Sequence, residues 1–330
     1  MSTFSEITES LKQNVTSVYK KLNHQSVPSV LDHITDVGAG QFEGVDSTYR
    51  IRQQYQNVNV KNPFVLSAGH SPLHVAFAGT TCLAEKSKEN ANWILGKIWN
   101  IKQKKRLPIA LNSAPRNSDK KSDDGKEDSI FWVKVKGHYA DYIVYGLQVV
   151  EFVKVFHKID FIKRVVSVNE IIEDTSKGSQ FRSAEHLPLV HILLAMGELE
   201  EHAVLKEVNI KTIADRYPLE QSAIIAPSDE YNNGRLIVEK STLEKIIKAG
   251  KCTIPEITNK ELIACSSLTN VEPGELSIWP SSNYFPDKNL AVLNIGTRWK
   301  PGTTKVTDET VKNLSKELLN KVGKNIKIEV

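Results

Sequence analysis

The chain has 330 residues, of which 40% are hydrophobic and 25% charged, with a formal net charge of +4. That length suits one large domain or two ordinary ones, and the composition is globular, which excludes collagen, long coiled coil and extended disorder. The charge is too slight for a basic nucleic-acid face; the densest basic run, Lys102 to Arg106, is soon followed by the mixed-sign run Asp119 to Asp128.

Three cysteines, Cys82, Cys252 and Cys265, lie far apart without C-x-x-C spacing. That argues against a disulfide framework or structural zinc and for a reducing compartment. The opening residues lack the basic start and apolar run of a secretory signal, and no stretch nears the ~18 apolar residues that span a bilayer. The expectation is a cytoplasmic protein with no membrane or nucleic-acid partner.

Along the chain, Glu6 to His24 reads as an amphipathic helix, with Ile7, Leu11, Val15, Val18, Tyr19 and Leu22 at spacings of three and four. Residues 1–28 are thus expected as an N-terminal helical extension. Pro28 marks a turn, Val30 to Ile34 a strand, and Val58 to Leu66 a second strand interrupted by Pro63. A helix is predicted from His74 to Lys86, and a strand from Leu107 to Leu111. Residues 117–128 are almost wholly polar and read as an exposed loop before the strand Ile130 to Val135. Ala140 to Phe156 reads as a strand followed by a helix, Phe161 to Val168 as a strand, and Glu185 to Glu198 as a helix ending at Met196-Gly197.

Strands interleaved with helices imply a largely parallel, helix-covered sheet over residues 29–215. From about residue 220 the texture changes. Short apolar runs (Ser222–Ala226, Leu236–Val238, Leu276–Trp279, Leu290–Leu293) alternate with Pro, Gly, Asn and Asp clusters, the pattern of a smaller β-rich domain over 216–330. A last amphipathic helix is expected from Asp308 to Val322.

No dinucleotide fingerprint, Walker lysine, H-E-x-x-H or G-x-S-x-G occurs. The histidines are scattered, and the five-residue gap between His186 and His191 misses the i, i+4 spacing of a helical metal pair. What stands out are polar loops at strand ends, where α/β proteins build sites: Thr35 to Gly38, Leu66 to Pro72, Asn112 to Arg116, Gly178 to Glu185, Ser228 to Gly234 and Pro280 to Tyr284. Alone, each is more often a β-turn or a helix cap than a site.

In order, they resemble one family. Ile34-Thr-Asp-Val-Gly38 with Gly44 resembles the opening T-D-F-G turn of the S-adenosylmethionine hydroxide adenosyltransferase and fluorinase superfamily. Leu66-Ser-Ala-Gly-His-Ser-Pro72 with Val75 is similar to its next strand and turn. Gly178 to Pro188 is similar to its S-T-F-H-G-R-D helix start, and Asp229 to Gly234 to its D-x-F-G-N turn. Asn270 to Gly296 resembles the closing hairpin.

The resemblance implies an N-terminal α/β domain, a C-terminal β-barrel, and a homotrimer with sites between neighbouring subunits. It implies S-adenosylmethionine as substrate, no cofactor, and displacement at ribose C5′ by water or hydroxide. Residue by residue, it implies that Asp36 holds the ribose hydroxyls and Asp229 the methionine ammonium. Asn233 would read the adenine edge, Ser281 and Ser282 would contact the methionine carboxylate, and Asn294 would fall in the turn over adenine. Asn112 and Arg116 occupy the segment where hydroxide-using members carry V-V-D-P-G-V-G…R. Here that segment reads Ile109-Ala-Leu-Asn-Ser-Ala-Pro-Arg116. The P-D-N-G turn has become Ile143-Val-Tyr-Gly146, and Arg182 stands at the family's histidine. These departures leave open a relative that binds an adenosyl ligand, or serves in an assembly, without turnover.

Overall fold

Apolar runs separated by turn residues dictate alternating strands and helices in the first two hundred residues. The computed structural model describes residues 30–35, 42–57, 60, 62–68, 72–85, 108–113, 129–137, 141–168, 182–213, 217, 219, 222–226, 234–285, 288–298, 317–318 and 321–330. The expected 6–24 helix and the 117–128 loop lie outside them. The chain divides into two units, Met1–Ala214 and Asp215–Val330, each carrying one seven-stranded sheet.

The first unit runs β1 (Val30–Thr35), α1 (Phe42–Asn57), β2 (Asn62–Ser67), α2 (Pro72–Glu85), β3 (Ile109–Asn112), β4 (Ile130–Val135) and β5 (Tyr142–Tyr145). It continues through α3 (Leu147–Phe156), β6 (Ile159–Val168), α4 (Arg182–Met196), α5 (Leu199–His202) and β7 (Ala203–Val208). The sheet order is β2-β1-β3-β5-β4-β6-β7. Strands β2, β1, β3 and β5 are parallel, whereas β4 is antiparallel to both neighbours and β7 to β6. Strand β2 is described from Asn62, and it is an edge strand, where Pro63 costs no ladder bond on its free side.

Helices α1 and α4 pack together over one face of this sheet, α2 and α3 over the other. Period-two alternation sorts the side chains. Leu31, Val65, Ala110, Ile143 and Tyr145 join Ile51 and Tyr55 of α1 and Leu187 to Met196 of α4 in one core. On the opposite face, a Cβ at Gly79 of α2 would lie 2.7 Å from Leu111 Cδ2, so the missing side chain lets α2 approach β3 closely.

The second unit comprises β8 (Ser222–Ala226), β9 (Gly234–Glu239), α6 (Lys240–Ala249), β10 (Lys251–Ile254), β11 (Thr258–Ala264), β12 (Ser277–Phe285), β13 (Leu290–Gly296) and β14 (Asn325–Lys327). Its order is β10-β11-β12-β13-β9-β8-β14. Thr253 N–H donates to Glu329 O at 2.8 Å and Glu329 N–H to Thr253 O at 3.0 Å. This antiparallel bridge ties the chain after β14 to β10, so the first and last strands meet and the sheet nearly closes. Its core includes Leu236, Val238, Ile246, Leu262, Ile278, Leu293 and Ile326. The expected helix to Val322 is described only at Glu317 and Leu318, and residues 321–323 form a turn.

Candidate functional site

In an open α/β sheet, ligands bind outside the carboxyl ends of adjacent strands whose connections leave in opposite directions. Here β1 leads to β2 on one side, while β3 leads toward β5 on the other. The switch therefore lies between β1 and β3. Their last residues, Thr35 and Asn112, are register partners; Ser67 pairs with Thr35, and Tyr145 with Asn112.

Alternation puts Ser67, Thr35, Asn112 and Tyr145 on the α1/α4 face, each two residues beyond a residue of that face of the sheet. They form a polar row across the top of the parallel strands. Asn112, 4% exposed, donates from Nδ2 to Thr35 Oγ1 at 3.4 Å. Asn112 Oδ1 and Ser67 Oγ are buried without a hydrogen-bond partner among the described residues. Buried polar groups are normally paired, so this row holds unused hydrogen-bonding capacity where the topology places a ligand.

One row below Thr35, on the same face, lies His33, fully buried beside Val65 and Ala110. His33 Nδ1 is 2.9 Å from Tyr55 Oη, Tyr55 Oη is 2.6 Å from His191 Nδ1, and His191 Nε2 is 2.8 Å from Pro108 O. A carbonyl only accepts, so His191 Nε2 carries the proton. With His191 neutral, its Nδ1 accepts from the Tyr55 hydroxyl. The Tyr55 oxygen then accepts from His33 Nδ1–H. This leaves His33 Nε2 as a bare lone pair, buried and without a partner among the described residues. Burial, and then the charge His191 can carry, hold the His33 pKa well below the ordinary imidazole value. His33 is accordingly neutral.

Of the residues singled out from sequence, Asn112 falls in the polar row, and Asp36 directly follows Thr35 in the chain. Asp36, Arg116, Asp229 and Asn233 lie outside the described residues. Ser281 and Ser282 belong to strand β12 rather than a turn, and Asn294 sits within β13 rather than in a turn over a ligand. The β12–β13 register shifts between Pro280 and Tyr284, so Ser281 and Ser282 fall at an irregularity within the strand, with register pairs on both sides of it. Asn294 faces Trp279 and Arg235 across the ladder, and its Oδ1 is buried without a partner among the described residues.

Sequence alone does not single out His33 or Tyr55; Ser67 lies in the strand-end segment Leu66 to Pro72, and His191 enters only through a spacing to His186 that misses a metal pair. A histidine inside the apolar strand Val-Leu-Asp-His-Ile-Thr is the available signal for the first. At α5, ligand atoms of Glu198, Glu201 and His202 lie within 4.8 Å of one another, but the group is solvent-facing. His202 Nε2 lies 3.9 Å from Glu198 Oε2 across one helical turn, an ordinary surface pairing.

No family model matches the sequence, and no curated protein matches it. An uncharacterized conserved protein from Thermotoga maritima has a similar structure, with a TM-score of 0.52 and 16% identity over 91% of this chain and 100% of its own. A conserved hypothetical protein from Thermus thermophilus aligns over 92% of this chain and 99% of its own, with a TM-score of 0.47 and 11% identity. The first of these shares the fold; identity that low says nothing of chemistry.

Proposed function

We propose that the chain binds S-adenosylmethionine and hydrolyses it to adenosine and methionine, as a divergent member of the hydroxide adenosyltransferase superfamily. The observation that carries this reading is the polar row at the β1–β3 switch point, with Asn112 Oδ1 and Ser67 Oγ unpaired and Asp36 next in sequence. Water oxygen forms a bond to C5′ as the C5′–S bond breaks. The sulfonium sulfur keeps the electron pair and becomes the methionine thioether, and the water proton passes to solvent. A sulfonium leaves readily, so alignment and partial desolvation of the water supply most of the acceleration.

In this reading Asp36 accepts from the ribose hydroxyls, and Asp229 pairs with the methionine ammonium. Asn233 reads the adenine edge, Ser281 and Ser282 meet the methionine carboxylate, and Arg116 sits near the reacting centre. The full arrangement is a helix-covered sheet followed by a smaller β-barrel, assembled as a cytoplasmic homotrimer. A second reading, ligand binding without turnover, is favoured by Asn112 itself, whose amide has no charge and donates one N–H to Thr35.

Chromatography of a reaction with S-adenosylmethionine decides between them. Adenosine and methionine in equal amounts are expected. No products but a ligand-dependent rise in melting temperature selects the binding reading, and neither response refutes both.

A further inference from the structure

We infer that His33 is a positioning residue of this site, its Nε2 accepting a hydrogen bond from a neutral O–H group held at the switch point. That group is the attacking water or a hydroxyl of the bound ligand; the inference rests on the proposed adenosyl-binding reading. Three observations carry it. His33 is on the face and strand of the polar row, two residues from Thr35. With His191 neutral, the His33 tautomer is set from a distance, because the Pro108 carbonyl takes the His191 Nε2–H, His191 Nδ1 takes the Tyr55 hydroxyl proton, and the Tyr55 oxygen then takes His33 Nδ1–H. The remaining lone pair is buried and meets no polar partner among the described residues.

A bare acceptor inside a sheet is costly to leave unpaired, and residues of three elements, β1, α1 and α4, make up the relay that leaves it bare. The chemistry of its guest follows. The neutral imidazole lone pair and the vacant Asn112 Oδ1 are both acceptors, and the Ser67 hydroxyl of the polar row can donate or accept, so a neutral O–H group matches the row. A metal ion would need further ligands, and both nitrogens of His191, the other imidazole of this relay, are already engaged.

The test is long-range proton–nitrogen NMR of the full chain labelled at histidine nitrogen, with and without adenosine. The expected spectrum has His33 as the Nδ1–H tautomer. A nitrogen shift of Nε2 toward the hydrogen-bonded position on adding adenosine, absent with 2′,3′-dideoxyadenosine, assigns a ligand hydroxyl. The hydrogen-bonded position already occupied without ligand assigns water. An Nε2–H tautomer, or an Nε2 at the free-acceptor position under every condition, overturns the inference. Failure of adenosine to bind counts against the proposed function, while the tautomer and the Nε2 position without ligand test the inference separately.

With turnover, His33→Phe is expected to lower kcat about tenfold with KM unchanged in the water case, or raise KM about tenfold in the hydroxyl case. His33→Gln, which restores an acceptor, is expected to recover part of either loss. Unchanged kinetics in His33→Phe would also overturn the inference.

Discussion

Tyr55 of α1 binds two histidines at once, His33 from β1 and His191 from α4. Tyr55→Phe removes the shared hydroxyl and strands His33 Nδ1–H and His191 Nδ1 in the core. The expected cost is on the order of 2–4 kcal/mol, read as a lower urea midpoint. His33 also predicts a pH response. Its folded pKa is depressed, so the unfolded chain binds an extra proton once pH falls below about 6.5. Stability is therefore full above that value and declines as pH drops toward the folded pKa. The urea midpoint should fall between about pH 7.5 and 5.5, and His33→Phe should flatten that slope.

Asn112 invites the reverse substitution. In Asn112→Asp a carboxylate can accept the Thr35 hydroxyl proton and orient water, so adenosine production should rise while the melting temperature falls. An unchanged rate would remove residue 112 from the reacting centre. Cys252 makes a control, since burial pushes its thiol up to about 11; iodoacetamide at about pH 8 should leave it unlabelled in the folded protein.

At the scale of elements, legibility follows local chemistry. Strands β3, β4 and β5 are mostly apolar and buried on both faces, Asn112 and Lys134 being the polar exceptions, and such runs announce themselves without any partner. Helix α1 escapes a reading by pattern because its sequence, Phe-Glu-Gly-Val-Asp-Ser-Thr-Tyr-Arg-Ile-Arg-Gln-Gln-Tyr-Gln-Asn, is mostly polar. Its described buried side chains are only Ile51 and Tyr55, one helical turn apart. Tertiary packing, rather than an apolar stripe, decides that segment. Helix α6 is hidden in a β-rich stretch, although its ending is readable. Gly250 adopts φ 72° and its N–H reaches Ile246 O and Ile247 O. Gly250→Ala should cost about 1 kcal/mol, measured by thermal unfolding, since an L side chain resists that conformation. The site is half legible. Asn112 stands at a strand end, where sequence logic looks. The tautomer-fixing chain joins residues 22 and 136 positions apart, and no local pattern encodes such a meeting.

At the scale of the molecule, the second sheet depends on its last residues. Glu329 completes the bridge to Thr253, and Ile326 and Ile328 are buried in the core, at 5% and 4% exposure. A chain ending at Lys327 loses the bridge and the Ile328 side chain together. It should be destabilised by roughly 2–5 kcal/mol, with the loss seen as faster hydrogen exchange at Thr253 and along β10. Protection unchanged there would mean that the closure contributes little.

The divergence of the chain after β1 and β3 has a consequence for how such a protein changes over generations. Segments that leave a sheet in opposite directions can lengthen without displacing the helices on either face. The rim above Thr35 and Asn112 is thus where new specificity is acquired with least disturbance to folding. The chain between β3 and β4, residues 113–129, departs from that rim, so homologues recognising different small molecules should differ there first and in the strands beneath it last.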